Sequence, residues 1–177
     1  PWRGTWQHAL HCRGKLATQA IAPVAPDSYL QRAGSINDKL LPTRFGQHYH
    51  GGGPGPIASQ RCYVTQARRF ASLVPPSKLI FMIGAYGYDW NDGDSTTNGQ
   101  QLTIQEIMSA VRKADKKSLH FDSATLNPYA SWTDRDSTDH LAWYLDAITA
   151  YNQSLAAQSL GTAGTGIWRL GSEDPAI

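Results

Sequence analysis

Apolar positions along this chain follow two different periods, and the switch between them marks the elements. Residues 79–84 (LIFMIG) are apolar without a break over the length of one strand, the pattern of a strand buried on both faces. Immediately afterwards residues 85–90 (AYGYDW) alternate small residues with Tyr86, Tyr88, Asp89 and Trp90, as where a barrel strand leaves the packed interior for the functional face. Upstream, Tyr63, Ala67, Phe70, Ala71 and Val74 recur at helical spacing over residues 57–74, and Pro75-Pro76 stop that helix. Downstream, Thr103-x-x-Glu106 is a capping box ahead of a face made by Ile104, Ile107, Met108 and Val111. A third helix is predicted over residues 145–160, with Ile148, Tyr151 and Leu155 as its apolar face and Gly161 as its stop.

Shorter signals complete the order. Residues 1–11 carry Trp2, Trp6 and Leu10, the tail of an amphipathic helix. Residues 16–22 predict a strand ended by Pro23 and Pro26, and Asp27-Ser28 cap a short helix through Arg32. A second strand starts at Lys39, with Pro42 inside it removing a ladder hydrogen bond. Residues 119–144 alternate aromatics with turn residues and predict an inserted hairpin; residues 166–170 predict a last strand. Strand and helix alternate throughout, which argues for a parallel α/β fold.

Composition narrows the class. At 177 residues the chain suffices for one domain and falls short of the ~250 residues of a complete (β/α) barrel. A hydrophobic content of 41% with 10% aromatics is that of a globular protein, and a net charge of +2 gives no reason to expect nucleic acid or membrane as a partner. Lys113, Lys116 and Lys117 form a modest patch near a helix end, where cations are favoured. Two cysteines, Cys12 and Cys62, leave both a disulfide and free thiols open. No apolar run has membrane-spanning length and no signal peptide is visible, so a soluble chain is expected. The first residue is Pro1, so a fragment, a processed product or an incompletely represented chain is expected.

The candidate chemistry is carbohydrate-directed. Aromatic rings beside glycines and a carboxylate suit a sugar, with apolar faces to stack and hydroxyls to hydrogen-bond; a core strand with an aromatic plug is the alternative. His48-x-His50 places two imidazoles on one side of an extended segment, but zinc needs three or four ligands and no third is signalled, so no metal is expected. Asp89, Asn91, Asp92 and Asp94 resemble half a calcium loop, but the glycine falls one position early and no Glu follows at the twelfth. The run from Gly51 to Gly55 lacks the Lys-Ser/Thr of a phosphate loop. No Gly-x-Ser-x-Gly elbow occurs. Glu173 and Asp174 follow the last strand, on the rim where barrel enzymes keep their chemistry; with Asp89 they are the carboxylates available for a two-carboxylate hydrolysis. Capping of the final turn is the other role open to the rim pair.

Five segments in order, residues 51–60 (GGGPGPIASQ), 79–90, 121–128 (FDSATLNP), 145–153 (LDAITAYNQ) and 167–175 (IWRLGSEDP), resemble the C-terminal half of bacterial family 18 glycoside hydrolases, the chitinase-like barrels. The likeness is nearest to the domain fused to polysaccharide deacetylase and glycosyltransferase modules. It implies half of a (β/α)8 TIM barrel, four parallel strands corresponding to the fifth to eighth. Residues 1–177 would form a single half-barrel domain, with a small inserted hairpin, about residues 119–144, before the last helix. The family signature Asp-x-x-Asp-x-Asp-x-Glu closes the fourth strand and has no counterpart here. Asp89-x-x-Asp92-x-Asp94-x-Thr96 copies its spacing but ends in a hydroxyl unsuited to general acid work. Where the family has Tyr-Asp on the sixth strand, this chain has Phe45-Gly46; Trp168 matches the tryptophan that floors the reactive sugar.

The resemblance therefore implies a carbohydrate-active, glycoside hydrolase-like protein acting on or binding β-linked glycans; the alternative is a non-catalytic glycan-binding or structural half barrel that has lost the catalytic strand. Asp89, Glu173 and Asp174 are the expected catalytic groups; Phe45, Tyr49, Tyr86, Tyr88, Trp90 and Trp168 are the expected sugar contacts. No cofactor is implied, and extracytoplasmic exposure would fit a glycan substrate. A half barrel has two open strand edges and an exposed inner face, for which Ile21, Leu41, Ile83 and Ile167 are the expected members. A twofold homodimer that regenerates eight strands is the expected closure, and an open sheet covered by the N-terminal segment or the insertion the alternative.

Overall fold

The computed structural model describes residues 2–43, 45–91 and 98–177, with side chains from residue 6 onward. Four strands run parallel: β1 (Thr18–Ile21), β2 (Lys39–Pro42), β3 (Ile80–Gly84) and β9 (Gly164–Trp168). β1 pairs with β2 and β3 with β9, and isolated parallel bridges at Leu40–Leu79 and Thr43–Met82 join the two pairs in the order β1–β2–β3–β9. Helices α1 (Trp2–His11), α2 (Asp27–Ile36), α3 (Gln60–Leu73) and α5 (Ala147–Ser159) accompany these strands. Between β3 and α5 lies a second unit. It is a five-stranded antiparallel sheet in the order β5–β4–β8–β7–β6, carrying α4 (Ile104–Lys113). Its strands are β4 (Gly87–Asn91), β5 (Gln100–Leu102), β6 (Lys116–Asp122), β7 (Asn127–Thr133) and β8 (Asp139–Tyr144).

The main core forms where α2 and α3 cover one face of the parallel strands. Ile21, Leu30, Leu40, Tyr63, Phe70, Leu79 and Phe81 are 0–1% exposed there. Each such side chain contributes about 1.5–3 kcal/mol by leaving water. Alternation along the strands sets the faces: Ile21, Leu40, Phe81 and Ile83 point at helices, whereas Leu41, Ile80 and Met82 point the other way and are only half-buried. This corrects the expected inner set, because Ile21 and Ile83 belong to the helix-covered side. Thr165 meets Ser154 of α5, so Ile167, two residues on, also lies towards the helices; only Leu41 lies on the open face as expected.

Polar contacts fix the helices. Ser59 Oγ accepts from the Cys62 amide at the start of α3, and the Thr103–Glu106 capping box is complete in both directions. The Lys78 ammonium donates to the carbonyls of Gly34 and Asn37, closing the C-terminal end of α2, where a cation is favoured. Arg69 on α3 pairs with Asp27 and donates to the carbonyl of Ala25, holding α2 to α3.

Several expectations change. The helix after Pro26 starts at Asp27 without a side-chain cap and runs to Ile36, beyond Arg32. The apolar stretch 79–90 is two strands: the chain breaks at Ala85-Tyr86 and β4 joins the other sheet, because an uninterrupted apolar run does not show where a strand changes partners. The inserted hairpin is three strands of a five-stranded sheet, since Gly87–Asn91 and Gln100–Leu102 lie far upstream of the residues that pair with them or complete their sheet. On α5 the expected apolar face is outward: Ile148 and Tyr151 are each 63% exposed and Leu155 45%. The helix packs instead through Thr149, Ala150, Gln153 and Ala157, small or hydrogen-bonded groups that allow close approach to α3 and the sheet. No disulfide joins Cys12 and Cys62. Among the described residues no helix is long and apolar enough to cross a membrane.

Candidate functional site

A continuous run of rings crosses the C-terminal ends of β3 and β9. Trp168 stacks on Phe45 with centroids 6.4 Å apart and planes 13° from parallel. Phe45 meets Tyr86 edge-on at 5.8 Å, Tyr86 meets Tyr88 edge-on at 5.6 Å, and Tyr88 leans on Trp90 at 5.7 Å. Gly84 makes the turn of this run possible. A Cβ there would sit 2.5 Å from the Cβ of Phe45, so only glycine lets that ring lie over the end of β3. The peptide bond after Trp168 is cis. Trp168 is 49% exposed while Tyr86 and Trp90 are buried, so the run offers solvent one large open ring and a rigid backing.

The glycine-rich loop braces the far end. The Trp90 indole Nε1 donates to the carbonyl of Gly52 at 2.9 Å, and Gly99 donates to the carbonyl of His50 at 2.7 Å. Gln47 Oε1 accepts from the amide and hydroxyl of Ser59, tying the loop to the cap of α3. Tyr49 is 52% exposed and touches His50 edge-on at 5.9 Å; it belongs to the loop rather than to the ring run. Burial raises the hydroxyl pKa of both Tyr86 and Tyr88, so both remain neutral donors over the ordinary pH range.

The three candidate carboxylates are held separately. Alternation along β4 turns Asp89 away from Tyr88 and Trp90, towards the side of the sheet that carries α4. There Asp89 Oδ2 lies 2.8 Å from His140 Nδ1, His140 Nε2 lies 3.3 Å from Asp134 Oδ2, and Trp132 stacks on the imidazole at 4.8 Å. Burial raises the Asp89 pKa against the opposing pull of His140, while the amide of Thr138 foremost lowers that of Asp134. Glu173 accepts from the Gly171 amide, and Asp174 accepts from the amides of Ala147 and Ala176, locking the last turn to the start of α5. No hydrogen bond among the described residues connects Asp89 with the rim pair.

Asp92, Asp94 and Thr96 lie outside the described residues. His48 is occupied by the carbonyl of Gly53 at 2.9 Å, and among the described residues no group of three or more metal-ligating side chains converges. The sequence reading missed His140, Trp132 and Trp143. His140 could have been suspected only once β4 was known to pair with β8, because its partner Asp89 lies 51 residues away.

The mixed α/β fold is shared with chitinases and cortex-lytic enzymes of known structure. Superposed on a chitinase from Chromobacterium violaceum, the chain gives a TM-score of 0.86 at 21% identity, covering 99% of this chain and 57% of that one. The spore cortex-lytic enzyme SleL of Bacillus cereus gives 0.84 at 17% identity, covering 99% and 43%. In sequence the chain is 27% identical over 145 residues to an uncharacterized glycosylase of Bacillus subtilis, YvbX, across 80% of this chain and 41% of that protein. It is 23% identical over 147 residues to the cortical fragment-lytic enzyme of Bacillus cereus, across 80% and 33%. No family profile matches. The chain thus spans about two fifths or less of these sequence relatives, which are glycosylases and cortex-lytic enzymes.

Proposed function

We propose that the chain is a carbohydrate-active, glycoside hydrolase-like domain that takes a β-linked oligosaccharide or polysaccharide across the C-terminal ends of its parallel strands. The ring run from Trp168 through Phe45 and Tyr86 to Tyr88 carries this reading. Sugars expose apolar C–H faces and hydroxyls together, and here a half-exposed indole stands beside neutral phenols. In hydrolysis, Glu173 and Asp174 stand closest to Trp168 in the chain and are the rim groups for proton transfer. Asp89 holds its proton more firmly than an ordinary carboxylate because of its burial, but it faces the α4 side of the inserted sheet and not the ring run, which makes it the weakest of the three candidates. The name of one relative supplies chitin as a first substrate to try, and the names of others supply spore cortex fragments.

The domain is half of a (β/α)8 barrel over residues 1–177. β1 and β9 each pair on one side only among the described residues, and Leu41, Ile80 and Met82 stand half-buried on the open face. A second copy would cover that face and pair both edges.

A non-catalytic binding domain is the second reading. It is supported because all three carboxylates make hydrogen bonds within the protein, and Phe45-Gly46 stands where the resemblance to family 18 barrels implies Tyr-Asp. Calorimetry and turnover of chromogenic β-glycosides separate the two. Trp168→Ala should fold and lose sugar binding. Asp89→Asn, Glu173→Gln and Asp174→Asn should keep binding, and at least one should lose turnover by about 100-fold or more. Binding without turnover in the unaltered chain selects the second reading, and absence of binding to every glycan removes both.

A further inference from the structure

The inserted sheet ends in a strand with nothing beside it. β6 is last in the order β5–β4–β8–β7–β6, so among the described residues it pairs on one side only, with β7. That pairing is regular from Lys116 opposite Thr133 to Asp122 opposite Asn127, with no bulge to twist the outer edge away. No proline interrupts the strand, and every residue from Lys116 to Phe121 is exposed. Leu119 is 60% and Phe121 50% exposed, although both lie on the side of the sheet that carries α4, as Ala130 opposite Leu119 does. A long, regular edge with apolar side chains on it is a template for one more strand.

The order of the side chains selects that strand. Residues 116–122 (KKSLHFD) are positive at one end, negative at the other, and have Leu119 at the centre. A second copy laid antiparallel about a twofold axis at Leu119 sets Lys116 opposite Asp122 at both ends. It also sets Lys117 opposite Phe121, Ser118 opposite His120 and Leu119 opposite its own counterpart. Both ends gain an opposite-charge pair and the two leucines close the middle. A parallel copy in register stacks lysine on lysine and loses these matches. The negative end is secure. The Asp122 carboxylate accepts from the Ala124 amide and the Thr125 hydroxyl, which lower its pKa from the ordinary value.

We propose that β6 is a self-association edge, through which two copies of this chain join their inserted sheets by antiparallel pairing about a twofold axis at Leu119. The contact is separate from the one at the open face of the parallel strands, because β1, β9, Leu41 and Met82 take no part in it. It does not depend on the glycan reading. One strand against one strand is a small interface of the weak, transient class, so it forms at about 0.1–1 mM.

Sedimentation velocity on the Met82→Glu chain, from about 10 µM to about 1 mM, reads this edge alone, because that change removes the other contact. The mass should rise towards two chains across the range. Leu119→Glu and Leu119→Lys, each added to that background, set like charges opposite one another and should each remain a single chain. An equimolar mixture of the two sets Glu opposite Lys and should pair about tenfold or more tightly than either alone. Leu119 is mostly exposed, so both variants should melt with the parent. Mixing Leu119→Glu with Ile148→Lys, which lies on the outer side of α5, should not restore pairing. A mass independent of concentration in the Met82→Glu chain overturns the proposal. Pairing that survives in both single variants overturns it as well, and so does pairing that Ile148→Lys restores as fully as Leu119→Lys.

Discussion

The parallel and the antiparallel halves of this molecule each cover one face of a sheet with helices and leave the other face open, but they leave it open differently. On the parallel strands the middle of the open face is apolar, with Leu41, Ile80 and Met82 half-buried, and Thr18, Lys39 and Trp168 share the face towards the strand ends. On the antiparallel sheet the open face carries stacked rings, His120 on Tyr129 and Tyr129 on Trp143, whose edges end in polar groups. Apolar surface gains by being removed from water altogether, so the first face calls for a packed protein partner. Polar groups lose their water contacts on burial and must recover them, so whatever covers the second must hydrogen-bond to it. Among the described residues one molecule thus has two uncovered faces with opposite requirements.

Phe81→Ala bears on that comparison most heavily. Phe81 is fully buried against Tyr63 and Phe70, and its truncation should cost about 3–5 kcal/mol in denaturant unfolding. If the halves unfold as one unit, tryptophan fluorescence from the inserted sheet and far-UV circular dichroism shift together; separate transitions would show two independent folding units. Next in size is association. Sedimentation equilibrium should give twice the mass of one chain, and Met82→Glu on the apolar face should return it to one chain without unfolding. A single-chain mass for the unaltered protein removes the dimer in favour of an open sheet.

The smallest effect concerns Asp89. Its pKa is raised in the folded state, so the folded protein binds that proton more tightly than the unfolded chain does. The resulting stabilisation is present below the ordinary carboxylate value and is lost as pH rises through the raised folded value. Asp89→Asn has no such proton to lose, so its stability relative to the parent should improve as pH rises through that window. A difference between the two melting temperatures that stays constant with pH would show that His140 cancels the cost of burial.

How far these features were legible in the sequence follows from the range of the interactions. The strand and helix alternation, the capping box at Thr103 and the rings at 86, 88, 90 and 168 were readable because they depend on neighbours a few residues away. The inward and outward faces of the parallel strands were not. Ile21 and Ile83 are apolar whichever side they take, and only the helices packed on them decide it. The same holds for α5, where the apolar stripe expected to be buried faces outward and Gln153 goes inside because its amide reaches the carbonyl of Ala58. Asp89 was readable as a carboxylate near rings. Its turn away from them required knowing that β4 begins a new sheet at Gly87.

The pairing of Gly87 with Tyr144 across β4 and β8 has a consequence for how the chain reaches its folded state. β3 and β9 are neighbours in space but far apart in sequence, with the whole antiparallel unit strung between them. Closing so long a flexible segment is entropically slow, and parallel pairing rewards it only at the end. The inserted strands make mostly short-range contacts, β6 with β7 and β7 with β8, and can zip up early. Once they have done so, Gly87 and Tyr144 bring the end of β3 beside the start of α5, and the remaining search is that of a short connection. The insertion thus shortens the connection that the pairing of β3 with β9 has to close.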